Sequence, residues 1–359
     1  VRPGMMGPAL VRHEPVGVCA GIVPWNVPLF ISILKLAPAL ASGSTIVLKP
    51  APETPLSANA LAQMCIDAGV PDGVVNIVPA GRETGQHLVT HPDVDKVSFT
   101  GSTAAGRKIG AACGELLRRC TLELGGKSAA IICDDADLDA IMPELIAAST
   151  MNNGQACVAQ TRILATRSRY DEVVEALTEA VAAIPVGDPA NMETGCGPLI
   201  AERQRERVEG YIQAGRDEGA RVTTGGGRPE GLDRGWFVEP TVFADVDNSM
   251  RIAQEEIFGP VLAVIPVDDA HDAVRVANDS AYGLSGTVWT GDADAGLDIA
   301  RRVRTGTYTV NGFAMEWGAP FGGFKDSGVG RELGPEGLAA YLESKTINLP
   351  AGTEPKLAY

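Results

Sequence analysis

The 359-residue chain is 45% hydrophobic and 21% charged, an ordinary globular composition that excludes disorder and a small stapled scaffold, and its length predicts two domains. Thirty Lys and Arg against 45 Asp and Glu leave a net charge of -15, which repels nucleic-acid phosphates and anionic membrane surfaces. The seven cysteines are an odd number without paired metal-ligand spacing, and they read as thiols in a reducing cytosol, so a cytoplasmic location is expected.

Residues 1–10 lack the pattern of a secretory signal, and the missing initiator Met suggests a processed, truncated or fragmentary chain. An apolar strand at 16–23 leads into Pro24-Trp-Asn-Val-Pro28. The most apolar stretch, 29–41, is interrupted by Lys35 and Pro38 and falls short of the roughly 20 residues that span a bilayer, which predicts a buried helix. From Ser44 the pattern alternates: strand 44–48, helix 56–68, strand 74–78, helix near 84–89, strand 96–100, a turn at Gly101-Ser102-Thr103, a helix to about Ala112, then strands 121–124 and 129–133. Such βαβ alternation packs as a parallel, doubly wound sheet of Rossmann type. After Gly125-Gly126 it restarts with helix 137–151, strand 161–166, helix 170–184 and a charged helix 201–218. A turn at Gly225-Gly226-Gly227 and candidate strands and helices at 262–267, 271–278, 286–290 and 293–303 complete a second α/β domain.

Several segments carry candidate chemistry, each with a plainer alternative. Cys157 follows Asn152-Asn-Gly-Gln-Ala, a polar, glycine-containing approach suited to an accessible nucleophile, although a buried cysteine is more often an inert small hydrophobe. Glu123 ends a strand before Gly125-Gly126-Lys127, where a carboxylate can activate water or simply be solvated. Asn26, between two prolines, suits an oxyanion donor or a turn that satisfies its own backbone. Lys49 and Glu53, at a strand's carboxyl end, offer a donor and an acceptor to ribose hydroxyls, or form a loop ion pair. Gly101-Ser-Thr-Ala-Ala-Gly106 combines a strand end, turn and helix start whose free amides suit a phosphate, or it is a tight βα turn. Arg203, Arg205 and Arg207 sit among Glu202, Glu206 and Glu209, which reads from charge alone as a solvated helix face. His13, His87, His91 and His271 are dispersed, so no catalytic metal is expected.

In order along the chain, Pro24-Trp-Asn-Val-Pro28, Lys49-Pro-Ala-Pro-Glu53, Phe99-Thr-Gly-Ser102, Leu122-Glu-Leu-Gly-Gly-Lys127, Gly154-Gln-Ala-Cys157, Glu256-Ile-Phe-Gly-Pro260 and Pro320-Phe-Gly-Gly323 resemble the aldehyde dehydrogenase superfamily. The resemblance runs from about His13 to Ile347. It implies an aldehyde dehydrogenase-like fold with an NAD-binding domain at 14–125 and a catalytic domain at 126–328. Residues 1–13 would be the remnant of an oligomerisation hairpin, and 329–359 a C-terminal segment with an oligomerisation strand. By the same resemblance Cys157 attacks the aldehyde, Asn26 and the Cys157 backbone N–H hold the oxyanion, and Glu123 activates water against the resulting thioester.

For the cofactor, the resemblance places Lys49 and Glu53 at the adenine ribose, Ser102 at the diphosphate, and Glu256 and Phe258 around the nicotinamide ribose. It adds Ile22, Val23, Pro24, Trp25, Gly81, Gly85, Phe99, Thr100, Gly101, Leu124 and Gly125 to the binding set, with Gln204 and Arg207 from the charged helix. Arg207 stands where many relatives have Lys. Because Glu53 accepts from ribose hydroxyls but repels a 2′-phosphate, NAD is expected over NADP. The expected partners are a small-molecule aldehyde and further copies of the chain, as a dimer or tetramer in full-length form, with neither nucleic acid nor membrane. Met151, Phe313, Met315 and Trp317 suggest apolar walls for a medium-sized apolar or aromatic aldehyde, or core packing. The departure is at the amino end, where relatives carry a sizeable preceding segment of the cofactor domain. Three alternatives stay open: a CoA-acylating relative, a truncated and catalytically silent one, and a cofactor-free cysteine hydrolase.

Overall fold

The computed structural model describes residues 1–2 and 7–353, so the ends of the expected N- and C-terminal segments at 3–6 and 354–359 lie outside the described residues. After β1 (Ala9–Pro15) come β2 (Val18–Ile22), α1 (Pro28–Ser42), β3 (Thr45–Lys49), α2 (Pro55–Asp67), β4 (Val75–Ile77), α3 (Arg82–Thr90), β5 (Lys96–Thr100), α4 (Thr103–Glu115) and β6 (Arg119–Glu123). Strands β2 to β6 lie parallel in the order β6-β5-β2-β3-β4. Helices α1 and α2 bury Ile31, Leu36 and Leu61 with Cys19, Ile46 and Leu48 on one face of this sheet. On the other face Val89 of α3 and Cys113 of α4 pack with Val97, Phe99 and Leu122. A sheet covered on both faces needs apolar residues in both directions, which is why β2 and β3 read as apolar runs instead of alternating.

The strand order reverses between β2 and β5, the place where open α/β sheets bind ligands beyond the carboxyl ends of their strands. Those ends are level. Ile22 pairs with both Lys49 and Phe99, and Thr100 pairs with Glu123.

The second half supplies β7 (Ala129–Ile132), α5 (Leu138–Thr150), β8 (Arg162–Thr166), α6 (Tyr170–Ala182), α7 (Glu202–Asp217), β9 (Arg221–Thr224), β10 (Thr241–Ala244), α8 (Arg251–Gln254), β11 (Val261–Val267), α9 (Ala270–Asn278), β12 (Gly286–Trp289), α10 (Ala293–Arg302) and β13 (Thr309–Val310). Seven strands form one sheet, β13-β12-β7-β8-β11-β10-β9, parallel except for β9 against β10. The chain then returns to the first sheet, where β14 (Gly328–Val329) pairs antiparallel with β6. After α11 (Gly334–Ala339), β15 (Leu342–Asn348) pairs antiparallel with all seven residues of β1. The expected boundary at 328 therefore falls on β14, a strand of the first sheet.

The expected buried helix at 29–41 is α1, buried along one face only: Lys35 and Leu36 are enclosed, while Leu29 and Ile33 stay exposed. Among the described residues no helix is long and apolar enough to cross a membrane. Strands β9, β10, β13 and β14 and helices α8 and α11 were not expected; most are two to four residues long, too short to show a period.

Candidate active site

A cleft of about 210 Å³ opens at the strand-order reversal, between the two sheets. The loop after β2 contributes Pro24, Trp25 and Asn26, and the turn after β5 contributes Thr100, Gly101 and Ser102. Leu124 and Gly125 enter from the end of β6. The second half supplies Cys157, Gln204 and Arg207 of α7, and Glu256 and Phe258. Every one of these lining residues is a position singled out in the sequence.

Cys157 is brought there by an unusual local backbone. Asn152, Asn153 and Gly154 take positive φ in succession (51°, 59° and 72°), which asparagine and glycine tolerate and β-branched residues do not. This turns the chain sharply out of α5. A Cβ on Gly154 would collide with the Gly259 carbonyl, and one on Gly126 with the Cys157 carbonyl, so the three glycine-bearing segments interlock. Asn26 donates from Nδ2 to the Gln155 carbonyl at 3.0 Å, and Asn152 donates to the Asn26 carbonyl at 2.9 Å. The amide of Asn26 is thus held against the cysteine loop, and the bonds it makes are to that loop, not to its own turn.

The thiol of Cys157 is pushed up to about 12, first by desolvation and then by the nearby acidic groups Glu256 and Glu123. Glu256 is itself pushed up to about 6 by burial, although its Oε1 accepts from the Gly126 N–H at 3.0 Å. The thiol is therefore protonated at neutral pH, and a nucleophilic thiolate here needs a base within reach.

Glu123 does not face the open cleft in this conformation. It is 3% exposed, and neither carboxylate oxygen has a hydrogen-bond partner. Burial raises its pKa well above the ordinary carboxylate range, and the neighbouring Glu332 raises it further. Glu332 forms a buried ion pair with Lys35 at 2.7 Å, and the same ammonium donates to Thr100 Oγ1 at 2.7 Å, beside Glu123 on the next strand. Lys35 and Glu332 were not picked out as functional from the sequence. The one available signal was Lys35 interrupting an apolar run, since a charge placed in a buried helix needs a partner.

The cofactor-binding expectations divide into two groups. Lys49 sits at the carboxyl end of β3, where its ammonium donates to the carbonyls of Pro50 (2.8 Å) and Ala80 (2.9 Å), and burial lowers its pKa. Glu53 pairs with Arg203 of α7, so the alternative of a Lys49–Glu53 ion pair is not what forms. Ile22, Val23 and Phe99 are buried, Gly81 precedes α3, and Gly85 in its first turn lies against the Lys49 stem. None of these, nor Glu123, lines the cleft itself.

Helix α7 is only partly the solvated face that its charges suggest. Arg205 pairs with Glu202 and Glu209, but Gln204 donates to the Phe258 carbonyl at 2.7 Å and Arg207 to the Ile257 carbonyl at 3.2 Å and to the Glu256 carbonyl. These bonds brace Phe258, whose φ is 65°, and hold its ring edge-on to Trp25 at 5.4 Å. Of the four expected apolar wall residues, Trp317 stacks edge-on against Phe30 at 5.2 Å, while Met151, Phe313 and Met315 pack with Cys157 around Val158, Leu284 and Phe321.

A sequence profile described as "Aldehyde dehydrogenase family" matches residues 5–347. The geranial dehydrogenase of Castellaniella defragrans is 55% identical over 349 residues, 97% of this chain and 73% of the relative. A Mycobacterium tuberculosis aldehyde dehydrogenase solved with NAD+ superposes with a TM-score of 0.97 at 58% identity, covering 99% of this chain and 73% of that one. The NAD+ complex of a Bacillus cereus aldehyde dehydrogenase superposes at 0.94 with 44% identity, covering 98% and 71%.

Proposed function

The chain belongs to the aldehyde dehydrogenase family, and from that premise we propose that it oxidises an aldehyde to a carboxylic acid with NAD, through a thioester on Cys157 hydrolysed by water that Glu123 activates. The observation that carries this reading is the gathering of Cys157, Asn26 and the strand-end residues around one cleft, with Glu123 buried directly beside it.

The residues suit a dinucleotide. Ser102 caps α4 by accepting from the Ala105 N–H at 3.3 Å, which leaves the first amides of that helix without intrahelical partners for a diphosphate. Lys49 and Glu53 suit a ribose, and Glu256 and Phe258 suit the second ribose near Cys157. NAD bound there supplies the hydride acceptor. The carboxylate of Glu53 accepts from free ribose hydroxyls and opposes a 2′-phosphate, which favours NAD over NADP.

In the first step the Cys157 sulfur bonds to the aldehyde carbon, and its proton passes to a facing carboxylate, because a thiol at about 12 does not ionise unaided. The carbonyl oxygen gains the charge, and the Asn26 amide and Cys157 N–H stabilise it. Once the hydride has left, the acyl group is a thioester. Glu123, whose raised pKa makes its carboxylate a stronger proton acceptor than a solvated one, turns into the cleft and takes a proton from water as that water attacks the acyl carbon. The acid leaves and the thiol is restored. The packing of Met151, Phe313 and Met315 about Cys157 supports an apolar, medium-sized aldehyde. Seven free thiols support a reducing compartment such as the cytosol, and the β1–β15 ribbon, outside both larger sheets, supports assembly with further copies.

The test mixes the protein with NAD+ and a panel of aliphatic, terpenoid and aromatic aldehydes and follows NADH absorbance, with Cys157→Ala alongside. Aldehyde-dependent NADH that the variant abolishes is the expected result. No signal from folded, NAD-binding protein overturns the proposal, and turnover strictly dependent on CoA overturns the hydrolytic step.

A further inference from the structure

All seven cysteines are free, and two of them meet away from the cleft. Along α4 the residues facing the sheet are Gly106, Gly110 and Cys113, spaced four and three apart on one helical face. Along β6 the residues on the same face are Leu124, Leu122 and Cys120, since alternate strand residues share a side. The two rows are in step. A Cβ on Gly106 would collide with Leu124, and one on Gly110 would stand 3.3 Å from Leu122 Cδ1. The glycines therefore let α4 lie unusually close to β6, and the next pair in the same progression is Cys113 with Cys120.

The two side chains lie on the facing rows of α4 and β6, within the apolar cluster of Val97, Phe99 and Leu122. Cys113 is fully enclosed, and Cys120 is partly exposed near the first residues of its strand. The link between them is tight: Arg118 N–H returns to the Cys113 carbonyl at 2.8 Å, so the connection back to β6 starts beside the helix end.

We propose that Cys113 and Cys120 form a redox couple, in which Cys120 is oxidised by hydrogen peroxide and Cys113 resolves it to a disulfide that pins α4 to β6. The Cys120 sulfur attacks the peroxide O–O bond, forming an S–O bond and releasing one oxygen as water. The Cys113 sulfur then attacks the sulfenic sulfur, the S–S bond forms, and the second oxygen leaves as water. Two thiols lose two electrons and two protons, and one peroxide becomes two waters. Two features favour this site over the catalytic thiol. Cys120 is lowered to about 7 by the Cys113 hydrogen bond, whereas Cys157 is pushed up to about 12. Cys120 also has a second thiol in its apolar cluster, which Cys157 lacks among the described residues of its own. The bond would close at the end of α4 and β6 opposite Ser102 and Glu123, roughly 16 Å along the helix from the cleft.

The experiment treats the full chain with a small excess of hydrogen peroxide, alkylates the remaining thiols and maps tryptic peptides. Arg118 and Arg119 separate the two cysteines, so a disulfide joins two otherwise distinct peptides, at a mass two hydrogens below their sum, and dithiothreitol releases them. In Cys113→Ser, Cys120 should instead be captured as a sulfenic acid by a dimedone probe, with several-fold more label than in the parent chain. The proposal is overturned if both thiols of the unmutated protein remain alkylatable while Cys157 is oxidised, or if Cys120 goes on to sulfinic acid without the joined peptides. The parent-chain map does not depend on the variant folding.

Discussion

Replacing Glu123 by Gln separates catalysis from stability, because the same burial that prepares the carboxylate for proton transfer makes it costly to keep. The side chain is 3% exposed, lacks a hydrogen-bond partner, and is raised well above the usual carboxylate range by desolvation and by Glu332. As a general base it should contribute about 10²–10⁴ in rate, or about 3–5 kcal/mol of barrier. The glutamine keeps the shape and cannot take the proton. A stopped-flow trace should keep a rapid burst of NADH, from acylation, followed by a steady state slower by that factor. Stability should move the other way. A carboxyl whose folded pKa lies above its unfolded value binds more protons when folded, so its contribution is present at low pH and is lost as pH rises from the unfolded value through the folded one. Urea unfolding followed upward from the ordinary carboxylate range should show Glu123→Gln gaining on the parent chain as pH rises. Unchanged steady-state turnover would refute the base assignment. A stability difference that stays flat with pH would refute the electrostatic account of the site.

The Lys35–Glu332 pair gives a second test: Lys35→Met or Glu332→Gln alone should cost about 3–5 kcal/mol in urea unfolding by leaving one buried charge unpaired, and the double replacement should recover most of it. Single losses below about 1 kcal/mol would show that the pair is solvated. For Cys157, iodoacetamide labelling of the cofactor-free protein, read on its own peptide, should climb about tenfold per pH unit from about pH 6 to 9 without levelling, because the thiol is pushed up to about 12. A plateau near pH 8 would place the thiol in a more polar setting. Glu53→Gln should narrow the kcat/KM preference for NAD over NADP by about tenfold or more, Arg203 being freed to meet a 2′-phosphate, and an unchanged ratio would remove Glu53 from cofactor choice.

Where a segment's structure is decided locally, the sequence was enough to read it. Lys96 to Thr100 is predicted and found as a strand with the same limits, and α6 begins at Tyr170 in both. Strands decided by distant partners were not legible. The two residues of β14 are a strand only because β6, some 200 residues earlier, offers them an edge. Within the site the same division holds. Asn152-Asn-Gly announces its turn by residue type, since consecutive positive φ values narrow the choice of side chains, and so Cys157 could be singled out. The partner of Lys35 lies 297 residues away, and no local pattern leads from one to the other.

Glu123 shows why those non-local contacts matter for the chemistry. Its backbone is fixed on both sides, paired with Thr100 on one strand and Gly328 on the other, and Gly328 reaches it only because the chain returns from the second sheet. Ser327, one residue earlier, donates to the Gly125 carbonyl at 2.6 Å and accepts from the Leu124 N–H at 2.9 Å, clamping the turn that follows the glutamate. With the main chain held this way, the carboxyl can change place only by rotating its own side chain, between the Lys35–Glu332 side of the sheet and the cleft that holds Cys157. The short returning segment 327–329 therefore holds the main chain from which the Glu123 side chain rotates. Replacing Ser327 by Ala should loosen the clamp without touching the acid–base groups, slowing thioester hydrolysis while leaving the NADH burst intact; equal losses in both phases would show that the segment supports the cleft as a whole.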